Sequence, residues 1–182
     1  MIRAAEERRK TVNKKFSLKI VAVLGLLIAL EIVLSRFQIH TSDMKLGFGF
    51  VPIVVAAILY GPIAGGAVGA IGDVVSAILF PVGQYFPGFT VTAFLTGVIF
   101  GLFLYKKEST LKIIVSVLLT QAIISQFVNT YFISLLYGNP YWPLFVTRLA
   151  QTAVMSAVQI ALIILINKKL IPVLKKRIEA SS

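Results

Sequence analysis

Residues 48–80 read FGFVPIVVAAILYGPIAGGAVGAIGDVVSAILF, a stretch whose single charge is Asp73. Gly61-Pro62 cuts it in two, because proline has no N–H to donate and disfavours a helical residue before it. The halves read as apolar helices over 48–60 and 62–80. An ionised aspartate facing lipid would cost about 2.5–3.5 kcal/mol, so Asp73 is predicted to face a bundle interior or a cavity. Gly65 and Gly69 lie four and eight residues before it on the same helix face. Small residues there let a neighbouring helix approach closely. The first half is short. Its thirteen residues rise about 20 Å against a hydrocarbon core of about 30 Å. Non-helical backbone at membrane depth needs protein or water around it. The preceding loop, 37–47, is therefore predicted to cap a cavity, the alternative being a helix that starts earlier, near Lys45.

The rest of the 182-residue chain has the same character. Hydrophobic residues make up 58%, charged residues 14%, and mean hydropathy is +0.91. Soluble domains carry roughly 25% charged residues, and a chain this apolar could not cover its own surface in water. The fold class is all-α: a polytopic membrane protein with six transmembrane helices. Helix 1 is predicted over 17–36, helices 2 and 3 as above, helix 4 over 89–105, helix 5 over 110–137 and helix 6 over 143–170. Pro143 suits a first helical turn. A basic segment, 1–16, precedes this 17–170 membrane domain, and a basic tail, 171–182, follows it. The run after Lys19 is long, and no A-x-A-like site closes it, so it reads as a membrane helix rather than a cleaved signal.

Of eighteen Lys and Arg residues, fifteen fall before or in the first turn of helix 1, at or beside the helix 4–5 link, or in the last turn of helix 6 and after it. The positive-inside rule then puts both termini in the cytoplasm. It accounts for the net charge of +11 without nucleic acid. Arg36, Lys45 and Arg148 remain on the outer side, where topology does not need them. Arginine holds carboxylates through a planar fork and lysine acts as a point charge, so the three suggest an anion site. Snorkelling at a helix end is the ordinary alternative, least so for Arg148, which lies inside helix 6.

Gln84, Tyr85, Phe86 and Phe89 gather between helices 3 and 4, and Phe48 and Trp142 are predicted at the same membrane face. Any one aromatic there reads as part of an interfacial belt. Clustered with Asp73, Gln84 and Asn129, they suit a flat heteroaromatic ligand with hydrogen-bonding edges. Glu31 reads as a structural carboxylate paired with a cation on another helix, and His40 as solvated. Ala22, Gly25 and Ala29 form a small-residue face on helix 1, for an internal helix or another subunit. The chain has no cysteine, which excludes disulfides and thiolate chemistry. It has no phosphate-binding G-x-x-x-x-G-K-[ST], no H-E-x-x-H and no G-x-S-x-G, so no enzyme is expected.

Several segments resemble the substrate-binding S components of energy-coupling factor (ECF) vitamin transporters, most closely their folate-specific members. They are residues 29–37 (ALEIVLSRF), 48–52 (FGFVP), 59–62 (LYGP), Gly72-Asp73, 80–90 (FPVGQYFPGFT), 101–105 (GLFLY) and Asn129-Thr130. The resemblance implies an S-component-like bundle of six helices that captures folate at the outer face and delivers it inward by toppling in the membrane. It implies a transmembrane coupling protein and two ATPase subunits as partners, with Ala22, Gly25 and Ala29 as the docking surface. It implies no cofactor, folate being the transported ligand and ATP being bound by the partners alone. Folate's pterin edge can donate two hydrogen bonds to Asp73, with Gln84 or Asn129 on another edge, and Arg36, Lys45 and Arg148 can hold its glutamate. The alternatives are an S component for another small nutrient, such as a queuosine precursor or pantothenate, or a stand-alone secondary transporter.

Overall fold

The computed structural model describes residues 18–36, 39–41, 44–81, 84–106 and 109–180. The basic segment 1–16 and the last two residues lie outside them, and Lys45 is described by its backbone only. Six helices follow in order: α1 (Leu18–Arg36), α2 (Phe50–Tyr60), α3 (Pro62–Leu79), α4 (Pro87–Leu104), α5 (Thr110–Tyr137) and α6 (residues 141–180). Among the described residues, four of them are long and apolar enough to cross a membrane by length and composition: α3, α4, α5 and 141–174 of α6.

Helix α2 is apolar on every side and sits at the centre, as such a helix must. Val54, Ala56 and Ala57 have no exposed surface. It packs against α1, α3, α4 and the end of α6. At eleven residues it is shorter still than the sequence suggests. The described residues between α1 and α2 are not helical. Strands β1 (Ile39–Thr41) and β2 (Met44–Leu46) pair antiparallel, with His40 opposite Lys45. This rules out a helix beginning near Lys45 and adds a small ribbon to the otherwise helical bundle.

Gly61 links α2 to α3 with φ +96°, open to glycine at little cost, and Pro62 opens α3. Helices α3 and α4 then cross at backbone contact. A Cβ on Gly65 would lie 2.8 Å from the Gly97 carbonyl oxygen and 2.6 Å from the Ala57 Cβ. Gly69 meets the Ala93 carbonyl in the same way, and Gly101 meets Pro62. These glycines thus dock α3 onto α4, one turn at a time.

Two helices depart from regular geometry. Residues Thr120–Asn129 of α5 are π-helical, as are Ile166–Leu170 of α6. Such segments are rare and recur at functional sites. The sequence marks the second as the end of helix 6, but the helix continues to Ala180. Ile171 is fully buried and Leu174 packs against the α1–α2 core, which holds the chain helical past Pro172.

Candidate functional site

Helices α1, α3 and α5 end, and α4 and α6 begin, at one end of the bundle. Between them lies a cavity of about 840 Å³, within the range of small-molecule sites. Helix α2 starts deep in the bundle, so its first turn, with Gly49, Phe50 and Ile53, forms part of the wall.

Asp73 reaches this cavity from α3. Its Oδ2 accepts a hydrogen bond from Thr90 Oγ1 at 2.6 Å, and the Tyr85 hydroxyl lies 2.9 Å from the same Thr90 oxygen. Since Thr90 has given its proton to Asp73, Tyr85 is the donor in that second bond. The carboxylate is thereby held by a relay from the α3–α4 loop while half-buried beside open volume. On α4, Thr92 Oγ1 donates to Asn129 Oδ1 at 2.9 Å, orienting an amide that stands where the π-helical stretch ends. Phe86 and Phe89 line the wall and pack on Phe132 with ring centroids 5.0 and 6.0 Å away. Gln84 lines the cavity too.

The two arginines differ. Arg36, at the mouth, is exposed. Its Nη2 donates to the Phe80 carbonyl at 2.5 Å and its guanidinium lies 4.5 Å from the Phe80 ring centroid. It staples the end of α1 to the end of α3 with part of its fork. Arg148 points into the cavity from α6 with Nε buried and without a hydrogen-bond partner among the described residues.

Two residues named by the sequence fall elsewhere. Trp142 is 71% exposed and packs with Tyr141 and Phe145 on the outside of the bundle. Six residues before Arg148, it lies about 120° away around the helix. Phe48 packs against the core built around Phe50 and Val54 and does not line the cavity. The Lys45 side chain lies outside the described residues.

Other polar residues that the sequence did not assign to the site also line it, Glu31 and Gln159 among them. Glu31, read as a structural carboxylate, is 8% exposed, and its Oε2 has no partner among the described residues. Gln159 is 6% exposed, and its Oε1 is equally unpartnered. Gln159 follows Arg148 by eleven residues, just over three full turns, so shared spacing on α6 was the available signal. Buried polar groups are nearly always paired. Two acceptors and one donor without partners among the described residues thus belong to side chains that line one cavity.

On the outside of α1, Ala22, Gly25 and Ala29 line one side, and a Cβ at Gly25 would touch nothing within 4 Å.

The family model described as "ECF-type riboflavin transporter, S component" matches residues 15–176. A folate transporter FolT of Clostridium novyi (strain NT) is 40% identical over 134 residues, covering 72% of this chain and 78% of that protein. A second FolT, of Leuconostoc mesenteroides subsp. mesenteroides, is 29% identical over 178 residues, covering 93% and 96%. The crystal structure of a FolT bound with folic acid superposes with a TM-score of 0.79 at 36% identity, covering 85% of this chain and 98% of that one. A match over nearly the whole membrane domain, in sequence and in fold, places this chain in the membrane as a member of the S-component family of ECF-type transporters.

Proposed function

We propose that the chain is the folate-binding subunit of an ECF-type transporter. The observation that carries this reading is the set of unpartnered polar atoms on side chains that line the cavity. Folate offers amino and ring N–H donors at its pterin end and two carboxylates at its glutamate end. The acceptors Glu31 Oε2 and Gln159 Oε1 and the donor Arg148 Nε are of matching kinds. Riboflavin, named in the family model's description, has no carboxylate for Arg148. The names of the relatives and the bound ligand of the FolT structure support the same choice.

In this reading Asp73 takes the pterin's N3–H and amino edge, and Asn129 and Gln84 serve its other polar atoms. Phe86, Phe89 and Tyr85 pack on the rings, as aromatic side chains do on nucleobases. Arg148 takes the glutamate, with Arg36 and Lys45 near the mouth. The chain binds and encloses its ligand and catalyses nothing. A transmembrane coupling protein docks on the Ala22–Gly25–Ala29 face, and ATP is bound by the two partner ATPases. Both termini lie in the cytoplasm, and the cavity opens outward when the subunit stands upright. Calorimetry on the purified protein tests the ligand. Folic acid should bind far more tightly than riboflavin, pantothenate or a queuosine precursor, and tighter binding of any of these would overturn the assignment.

A further inference from the structure

The Glu31 carboxyl group occupies a niche between two helices. Its Oε1 lies 3.3 Å from where a Cβ of Gly49 would stand. At Gly72, immediately before Asp73, a Cβ would fall on Oε2 itself. Any larger residue at 72 would therefore displace the carboxyl head, and the niche is shaped to let it pass between α2 and α3. The residue lines the cavity at 8% exposure, while its Oε2 is buried against Gly72 and unpartnered among the described residues. A purely structural carboxylate would have found a cation or a set of amides here, since a buried acceptor without a donor is costly.

The neighbouring carboxylate is already partly engaged, because Asp73 Oδ2 accepts from Thr90. A pterin carries N–H hydrogens on both sides of its 2-amino corner. One amino hydrogen lies beside N3–H and suits a bidentate carboxylate. The other points away from it, towards N1, and needs a second acceptor. We propose that Glu31 is this second ligand-reading group, its carboxyl group accepting the outward hydrogen of the 2-amino group. The two carboxyl groups then bracket the amino corner and select for an exocyclic N–H₂. This assignment rests on the folate reading.

The test compares folic acid with 2-desamino-2-methylfolic acid, which carries a methyl group in place of the amino group. Calorimetry is run on the wild-type protein and on the Glu31→Met variant, whose unliganded melting temperature confirms folding. Glu31→Met should weaken folic acid about 10- to 100-fold, the loss of one hydrogen bond to a charged group. The methyl analogue should change less than about threefold, since it has no donor to lose. Glu31→Gln, which keeps an oxygen acceptor and the side-chain shape, should shift the ratio of the two affinities the same way by a smaller factor. It carries the comparison if Glu31→Met does not fold. Equal losses for both ligands, or none for either, would overturn the proposal and leave the folate reading standing. A wild-type protein that does not bind folic acid would overturn both.

Discussion

Arg148 offers the sharpest division of the pocket into a ring end and a carboxylate end. Its Nε is buried on the cavity wall and unpartnered among the described residues, so the guanidinium is partly desolvated and has a donor to offer. A ligand carboxylate that fills the fork gains a charge-assisted bond. Removing one partner of such a buried charge pair typically costs about 2–5 kcal/mol. At about 1.4 kcal/mol per tenfold, Arg148→Ala should weaken folic acid by a factor between about 30 and several thousand. The methylamide of pteroic acid keeps the pterin and benzoyl groups and has no carboxylate. Its affinity should change by less than about threefold, within the few tenths of a kcal/mol typical of a lost side-chain contact. Titration calorimetry of both ligands against both proteins gives the four numbers needed. Arg36→Ala serves as the contrast. Its guanidinium already holds Phe80, so its loss should loosen the mouth and weaken both ligands together. If Arg148→Ala lowers both affinities by one factor, the arginine holds the fold or the ring, and the orientation assigned to folate is wrong.

Asp73→Asn should weaken folic acid and the methylamide by a similar factor, about 30-fold or more, because both carry the pterin; calorimetry on the same pair checks it. Ala29→Trp should leave folic acid binding within about threefold of wild type, since the position is exposed, and should abolish ATP-dependent uptake in vesicles containing the complete transporter; equal loss of binding and uptake would make that face internal packing. Cysteines introduced at Gly138 and at Lys107 should be labelled by an impermeant reagent from outside and from inside respectively, and external labelling at 107 would reverse the topology.

Large features of this fold are legible because they follow from chemistry at single positions. Gly61-Pro62 ends one helix and opens the next, and the apolar runs bound the rest to within a few residues, the tail past 170 apart. Eight residues named from the sequence line the cavity: Arg36, Asp73, Gln84, Tyr85, Phe86, Phe89, Asn129 and Arg148. What the sequence does not give is the direction in which a side chain leaves the backbone. Trp142 and Arg148 lie on one helix, and rotation alone sends one to the outside and the other to the cavity. Glu31 could equally have met a cation; only the bare Gly49 and Gly72 backbones show where its carboxyl group goes. The π-helical stretch Thr120–Asn129 left no mark of its own. It is held by tertiary bonds from distant residues, with Gln126 donating to the Phe145 carbonyl and accepting from Thr152.

The orphan atoms also set a relation between stability and binding. A buried polar atom without a partner destabilises the empty protein by about 1–3 kcal/mol, and a ligand that supplies the partner removes that penalty. Gln159 isolates the effect because it is neutral, 6% exposed and unpartnered at Oε1 among the described residues. Gln159→Leu replaces it with an apolar group of similar size. The empty variant should therefore melt at a higher temperature than the empty wild type, although most buried substitutions destabilise. Saturating ligand stabilises a protein by about 2.7 kcal/mol at one hundred times its dissociation constant, so at a fixed folic acid concentration the shift tracks affinity. The variant's ligand-induced shift should be smaller, because a leucine side chain offers no acceptor. Thermal unfolding in detergent, with and without folic acid, measures both quantities on the same sample. A variant that melts lower when empty and keeps the full ligand shift would show that Gln159 supports the bundle and takes no part in recognition. A higher empty melting point with a diminished shift would show that stability is given up at this position to hold an acceptor ready for the ligand.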